Sequence, residues 1–509
     1  MTDSPPPVLS PEDLARCTRM LESIAADTLL LSQLSNEDRI RLLMAAGRVI
    51  HPDKAQVYRR IKAMRSSRRQ QKESRDRTVR AATTIRAARR DSLFIPPPRE
   101  IALETATSIP ALQLEKPRDC YICKGEFTQV HFFYDSMCPA CAGFNYEKRF
   151  QSASLEGRVA LITGARLKIG YQAALMMLRA GARVIVTTRF AQDAALRFAR
   201  EEDFKLWKSR LQIHGLDLRH SPSVEVFARF MDQSLDRLDI LINNAAQTVR
   251  RPPGFYAHLM ETEQRPHHEL PVEVQSLLAS HQECKRLLNG PPDIKWLADW
   301  HRENPASVPG ITDAALLSQI PYRCDEAAPE NFPAGRLDAD LQQIDQRKMN
   351  SWRMTLADVP TAEMLEVQLV NSVAPFILCS KLKDLMLRHP TGEKHIVNVS
   401  AMEGKFSRHT KTDKHPHTNM AKAALNMLTL TSARDYAKSG IFMNAVDTGW
   451  VTDEDPAALS ARKQVEHDFQ PPLDIVDGAA RVCDPFFSGL LTGKHAWGNF
   501  LKDYRPTEW

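Results

Sequence analysis

Two groups of residues have the types and spacing to do chemistry. The run Val159-Ala-Leu-Ile-Thr-Gly164-Ala-Arg-Leu-Lys-Ile-Gly170 reads as an apolar strand, a glycine turn and the start of a helix. Gly164 permits the tight turn, Gly170 lets the helix pack closely on the strand, and the unpaired N–H groups of the helix N-terminus suit a pyrophosphate. The next apolar strand, Ala182-Arg-Val-Ile-Val-Thr-Thr-Arg189, ends 19 residues beyond Gly170. An acidic residue there would hold ribose hydroxyls; Arg189 suits a 2′-phosphate instead, which favours NADP(H) over NAD(H). Arg166 and Lys168, with Ile169 beside them in the turn, can add phosphate contacts. The plainer reading makes all three cations solvated surface charges.

The second group is Cys120-Tyr-Ile-Cys123-Lys-Gly and Cys138-Pro-Ala-Cys141-Ala-Gly. Each pair forms a knuckle with its thiolates aimed at one centre, and Gly125 and Gly143 permit the backbone to turn around a metal. Four soft ligands favour tetrahedral Zn²⁺, and a filled ligand set leaves no open position for catalysis. Such a zinc ribbon would fold a segment too small to fold alone. A redox dithiol and unliganded cysteines are the alternatives. The stretch Phe127–Tyr134 alternates enough to form a hairpin arm.

These groups need elements to hold them. Leu216-Asp217-Leu218 and Leu238-Asp-Ile-Leu-Ile-Asn243-Asn244-Ala245-Ala246 look like the ends of a third and fourth strand, and helical stretches separate them. That alternation gives an α/β fold with a parallel sheet wound on both faces. The chain has 509 residues, more than the roughly 250 of one dinucleotide-binding unit. We read a helical, basic region over 1–95, a zinc-ribbon-like module over 110–150 and a dinucleotide-binding domain over 155–509. Ser10-Pro11-Glu12-Asp13 and Ser35-Asn-Glu-Asp38 are helix-capping patterns, followed by short amphipathic helices (Leu14, Met20, Leu21, Ile24; Ile40, Leu43, Val49) suited to packing on something else.

Residues 54–90 carry fourteen Lys or Arg against Glu73 and Asp76, a net +12 in a chain of net +6. This stretch suits a solvated or intramolecularly docked helix, a protein contact or, less well given only Tyr58 among aromatics, nucleic acid. Phe94-Ile-Pro-Pro-Pro98 then breaks the helix and starts a linker. The start of the chain is polar, and no apolar run is read as reaching the ~18 residues of a membrane span. A soluble protein of the reducing cytoplasm is expected, without membrane partners. Four of the nine cysteines are grouped as above, and Cys17, Cys284, Cys324, Cys379 and Cys483 are scattered.

On several motifs in order, the chain resembles the short-chain dehydrogenase/reductase superfamily and its Rossmann-type fold. The motifs are Thr163-Gly164 with Gly170, Asp217, the Asn243–Ala246 strand end, Asn371 in Asn-Ser-Val-Ala-Pro-Phe376, Ile396-Val-Asn-Val-Ser400, Lys422 in Ala-Lys-Ala-Ala-Leu-Asn426, and Asn444-Ala-Val-Asp-Thr-Gly449. The resemblance implies cofactor contacts from Thr163, Asp217, Leu218, Asn244, Ala245, Ala246, Lys422, Thr448, Gly449 and Val451. Thr452 is expected at the nicotinamide carboxamide, or as a plain helix N-cap. It also implies a homo-oligomer through the helices that carry Asn371 and Lys422.

The family's catalytic set is altered here. Lys422 and Asn371 fit their positions, but the tyrosine four residues before the lysine is Thr418, and Ala401 stands at the serine position with Ser400 one step earlier. A threonine hydroxyl ionises too reluctantly to replace a phenol of pKa ~10. The loop before Thr418 is longer than usual and holds His409, His415 and His417. Of these His417 is the candidate acid, although a loop histidine without a role is the plainer reading. The middle glycine of the phosphate turn is replaced by Lys168. A long, helical insertion runs from about 250 to 360, with helices expected at Leu270–Leu288 and Leu337–Trp352. It enters beside the substrate-facing strand ends, and its Tyr256, His258, Arg347 and Arg353 can supply groups to the site. Two readings follow: an NADP(H)-dependent oxidoreductase whose proton donor comes from the loop or insertion, or a degenerate NADP(H)-binding scaffold or redox sensor.

Overall fold

The computed structural model describes residues 9–89, 112–289, 308–322, 325, 328–338, 342–407 and 410–509. Arg90, the Phe94–Pro98 break, Cys324 and His409 lie outside them. The chain divides into two compact units, Met1–Arg75 and Asp76–Trp509.

In the first unit, α1 (Pro11–Ala26) is capped by Ser10, whose hydroxyl accepts the Asp13 N–H while Asp13 reaches back to Ser10. Ser35 caps α2 (Asn36–Ile50) in the same way through the Asp38 N–H. Neither helix buries a residue, so Leu14, Met20, Ile40 and Leu43 stay exposed. The basic α3 (Lys54–Ala81) starts in this unit.

The second unit is built on an eight-stranded sheet ordered β10-β9-β8-β7-β6-β3-β4-β5. Its strands are β3 (Val159–Thr163), β4 (Arg183–Thr188), β5 (Leu211–Gly215), β6 (Ile240–Asn243), β7 (Lys394–Ser400), β8 (Ile441–Asp447), β9 (Phe500–Lys502) and β10 (Arg505–Thr507). All neighbours are parallel except β9 and β10. Runs such as Val159-Ala-Leu-Ile-Thr form the centre because both faces of a parallel sheet are buried, which calls for continuous apolar sequence. One face packs on the helices Lys168–Arg179 and Ile475–Thr492 through Ala173, Leu175, Val482 and Phe486. The other packs on the helices Ser221–Ser234, Thr361–Lys381 and Pro416–Ala437 through Val224, Phe227, Leu378 and Ala433. This is the doubly wound α/β fold expected.

The Thr361–Lys381 helix corrects one expectation, since by length and composition it is apolar enough to cross a membrane. Within the fold it is a core helix, 56% buried over that window. The insertion contributes helices Pro253–Glu263 and Val272–Asn289, the latter as expected. The described part of Leu337–Trp352 is not the expected helix: it has a Leu337–Gln343 bridge and one 3₁₀ turn at Ser351–Arg353. The buried Gln343 amide donates to the carbonyls of Pro333, Arg336 and Ile344, and Asp345 holds Arg251 and Arg347. Side chains that bond local backbone in this way compete with helix formation.

The cysteine segment is a hairpin, β1 (Leu112–Asp119) with β2 (Glu126–Val130), followed by helix Pro139–Lys148. Its core is continuous with Val451 and Leu473 of the domain built on the eight-stranded sheet. Arg149 pairs with Asp474 at 2.7 Å and Asp477 at 2.8 Å, and Tyr134 bonds Asp477. The end of the basic stretch is consumed here. Arg86 meets Asp135 at 2.6 Å and Asp468 at 3.1 Å, and Arg80 meets Asp468 at 2.8 Å.

Candidate functional site

The turn after β3 closes on the residues that follow β6. Thr163 Oγ1 accepts the N–H groups of Asn244 (3.1 Å) and Ala245 (3.0 Å), and the Asn244 amide donates to the carbonyls of Thr163 and Gly164. Gly164 has φ +68°, and an added Cβ would lie 2.8 Å from Ala245 Cα. Lys168 has φ +56°, so the position where the family pattern has glycine keeps a glycine-like backbone under a lysine. A side chain in the left-handed region costs about 1–2 kcal/mol. The turn thus brings the backbone of Gly164 and Gly170 to the N-terminus of the Lys168–Arg179 helix, whose unpaired N–H groups fit a diphosphate.

A cavity of about 750 Å³ opens above this turn. Gly164, Arg166, Lys168, Ile169 and Gly170 form its floor. Arg189, Asp217 and Leu218 line one end, and Asn244, Ala245 and Ala246 the middle. Ser400, Lys422, Thr448 and Thr452 line the other end. Thr163, Gly449, Val451, Asn371, His417 and Thr418 are not among the residues that line it.

The two arginines differ. Arg166 is ion-paired to Asp193 at 2.7 Å and lies over the Phe190 ring, so its charge is already answered. Arg189 donates to the Tyr256 hydroxyl at 2.7 Å with its guanidinium 4.7 Å from that ring, and no ion pair to it occurs among the described residues. Its charge helps hold down the Asp217 carboxyl nearby, but no carboxylate pairs with it directly, which leaves it able to meet an anion. Burial pulls the Asp217 carboxyl up, but hydrogen bonds and charge from Arg219 outweigh it and hold it below the ordinary value. Arg219 reaches on to Glu366 at 2.8 Å.

At the opposite end, Lys422 is 3% exposed and donates to the Val399 carbonyl at 2.9 Å. Burial pushes its ammonium down to about 8. The Ser400 hydroxyl donates to Asn426 Oδ1. Asn371 sits in a π-helical turn, Leu369–Val373, a local widening frequent at functional sites. Its side chain accepts the Gln247 N–H and donates to the Gln247 carbonyl.

The sequence-based candidate for proton donor is not brought to the cavity. His417 lies in the first turn of helix Pro416–Ala437 with both ring nitrogens buried and without a hydrogen bond, 3.9 Å from Glu363. Burial pushes its pKa down to about 4, so it holds no proton to give at neutral pH. Thr418 Oγ1 is likewise buried and finds no partner among the described residues. His415 stacks on Trp352 of the insertion at 3.9 Å, which pins the long loop.

Of the insertion residues named from sequence, only Tyr256 lines the cavity; Arg347 is paired with Asp345, Arg353 approaches Asp455, and His258 lies elsewhere. Sequence reasoning missed Arg251, Gln343 and Asp345, and the acidic run Asp453-Glu-Asp455 at the mouth. That run, directly after Thr452, was the available signal. Thr452 donates to Glu454 and is no N-cap, since the next helix starts at Ala457.

Residues 158–269 match the short chain dehydrogenase family and residues 330–472 the Enoyl-(Acyl carrier protein) reductase family, one on each side of most of the insertion. The chain belongs to the short-chain dehydrogenase/reductase superfamily. An uncharacterised protein of Acanthamoeba polyphaga mimivirus is 31% identical over 400 residues, covering 76% of this chain and 74% of that protein. Dehydrogenase/reductase SDR family member 13 of Bos taurus is 38% identical over 109 residues, 21% of this chain and 26% of that one. Retinol dehydrogenase 13 of Mus musculus is 33% identical over 103 residues, 20% and 30%. This short-chain dehydrogenase/reductase thus spans under a third of the length of those two named relatives. Among solved structures, the Pseudomonas aeruginosa RhlG/NADP active-site complex is 18% identical, covering 68% of this chain and 95% of that one with a TM-score of 0.39.

Proposed function

We propose an NADP(H)-dependent oxidoreductase acting on a carbonyl/alcohol pair, with Lys422 rather than a tyrosine as the proton donor. The observation that carries the reading is that the glycine turn, Arg189, Asp217 and Lys422 all open on one cavity. The turn from Gly164 to Gly170 would hold the diphosphate, Arg189 the 2′-phosphate, Asp217 and Leu218 the adenine end, and Thr448 and Thr452 the nicotinamide end. When bound, a reduced nicotinamide supplies a hydride.

The chain must then supply one proton to the substrate oxygen. With Thr418 at the family's tyrosine position, and its hydroxyl buried off the cavity, no phenol stands beside Lys422; the Tyr256 phenol that lines the cavity is held by Arg189 at the other end. Lys422 has three donor hydrogens, of which the Val399 bond uses one. An acid works best with a pKa near the working pH, and burial has brought this ammonium there. Asn371 holds the backbone of Gln247, which lines the same cavity, and so shapes its wall.

Titration of the purified protein with NADPH and NADH, followed by nucleotide fluorescence, tests this. A charge-assisted hydrogen bond is worth about 1.5–3 kcal/mol. Arg189→Ala should therefore weaken NADPH binding at least tenfold and leave NADH within about threefold. Equal weakening of both would remove the 2′-phosphate assignment.

Two further parts belong to this reading. The four cysteine ligand atoms lie within 4.8 Å of one another, a spacing that suits one structural Zn²⁺. We extend the reading to a reducing, cytoplasmic setting, in which Cys17, Cys284, Cys379 and Cys483 stay as thiols. Leu365 and Phe376 of Thr361–Lys381 and Met420, Met427 and Leu430 of Pro416–Ala437 are exposed, an apolar face suited to a homo-oligomer. Sedimentation velocity should show an assembly that Phe376→Glu with Met427→Glu reduces to monomer.

A further inference from the structure

The Thr448–Thr452 loop has two faces. Thr448 and Thr452 line the nucleotide cavity, while Val451 and its neighbour Leu473 are buried in one core with Cys120, Tyr134 and Met137 of the cysteine side. Gly449 is turned the same way, since a Cβ there would lie 3.2 Å from Tyr121 Oη. That same hydroxyl accepts the Trp450 N–H at 3.0 Å.

Tyr121 is the residue after Cys120. Its own N–H donates to the Ser136 carbonyl at 2.8 Å, two residues before Cys138. Cys120 N–H donates to the Gly125 carbonyl, Lys124 N–H to the Cys120 carbonyl, and Cys138 N–H to Cys120 Sγ at 3.3 Å. The backbone that places the tyrosine is therefore the backbone that gathers the four sulfurs. The hydroxyl that receives the loop is thus tied to the sulfurs through one continuous set of backbone hydrogen bonds.

We infer that Tyr121 is a positioning residue through which metal binding at Cys120, Cys123, Cys138 and Cys141 sets the nicotinamide-side loop and so tightens the nucleotide. This rests on the nucleotide reading above and adds a reason for the cysteine module to be fused to this fold. A metal that orders the loop and a nucleotide that needs it ordered must assist each other by the same factor, because binding linkage is reciprocal.

The test uses the whole 509-residue chain with Zn²⁺ and after chelation under reductant. Amide hydrogen exchange is followed across 448–452 without nucleotide, and NADPH affinity by fluorescence. Zinc should slow exchange in that peptide several-fold, leave β3 and the Lys168–Arg179 helix unchanged, and tighten NADPH about fivefold or more. Tyr121→Phe should bind one Zn²⁺ as the parent does, yet lose the slowed exchange and the zinc-dependent gain. Its KM for NADPH should rise with kcat within about twofold, a split that a general loss of folding would not give.

Identical exchange in the two forms, a coupling that survives in Tyr121→Phe, or failure to bind Zn²⁺ would each overturn the inference. Comparison of the two parent forms needs no variant, so a Tyr121→Phe that does not fold leaves the test intact. If zinc and Tyr121 control exchange but no nicotinamide nucleotide binds, loop positioning stands and the nucleotide reading alone falls.

Discussion

Lys422→Met is expected to lower kcat for carbonyl reduction by about 10²–10⁴-fold, the range for removal of a general acid, with NADPH affinity held within about tenfold. Methionine has similar length and no proton to give. The pH profile makes the prediction specific. The Lys422 ammonium is pushed down to about 8 by burial, so reduction should be flat below pH 8 and fall tenfold per unit above it. Oxidation of the alcohol needs the neutral amine and should show the mirror profile. Both limbs should vanish in Lys422→Met, while an unchanged limb would assign the proton to another group. Folding separates from chemistry by the same reasoning. The folded pKa lies below the unfolded value of 10.5, so between about 8 and 10.5 the unfolded chain binds more protons and stability rises with pH. Lys422→Met loses that slope. It also leaves the Val399 carbonyl without its donor, and the net change at pH 7 should stay within about 1–2 kcal/mol by urea unfolding.

The sheet and the phosphate turn were legible because they are written locally. Four apolar residues from Val159 to Ile162, then Thr163, Gly164 and Gly170, specify strand, turn and helix with no distant partner. The cysteine pairs were legible for the same reason, since the spacing in each pair sets where its two sulfurs point. Choosing His417 used adjacency in sequence where helix geometry was needed. Five positions separate it from Lys422, which at ~100° per residue turns it about 140° away from the cavity-facing lysine, toward Glu363. The partners of Arg189 and Trp450 were not available to any local reading. Tyr256 lies 67 residues from Arg189, and Tyr121 lies 329 from Trp450, brought there by the insertion and by the packing of the hairpin on the domain. The failed helix at Leu337–Trp352 belongs with these, because Gln343 spends its amide on the carbonyls of Pro333 and Arg336, bonds that periodicity does not report.

Gly170→Ala should destabilise the protein by about 1–3 kcal/mol, the usual cost of forcing a methyl into packed space, and should abolish measurable nucleotide binding. An added Cβ would stand 2.4 Å from Asn244 Nδ2, 2.5 Å from the Gly164 carbonyl oxygen and 3.0 Å from Ala165 Cα. Two of these are backbone of the turn itself. The third is an amide already fixed by donation to Thr163 and Gly164, so no flexible side chain can yield. Relief therefore comes only from lifting the Lys168–Arg179 helix off β3. That moves the helix N-terminus, whose N–H groups the diphosphate needs, and breaks the staple from Asn244. Gly143→Ala is the matched control. Gly143 is helical with nothing within 4 Å of its would-be Cβ, so the same change should be neutral or stabilise by about 0.5–1 kcal/mol. If Gly170→Ala matched that control in urea midpoint and NADPH affinity, the close approach of helix and strand would not be what builds the site.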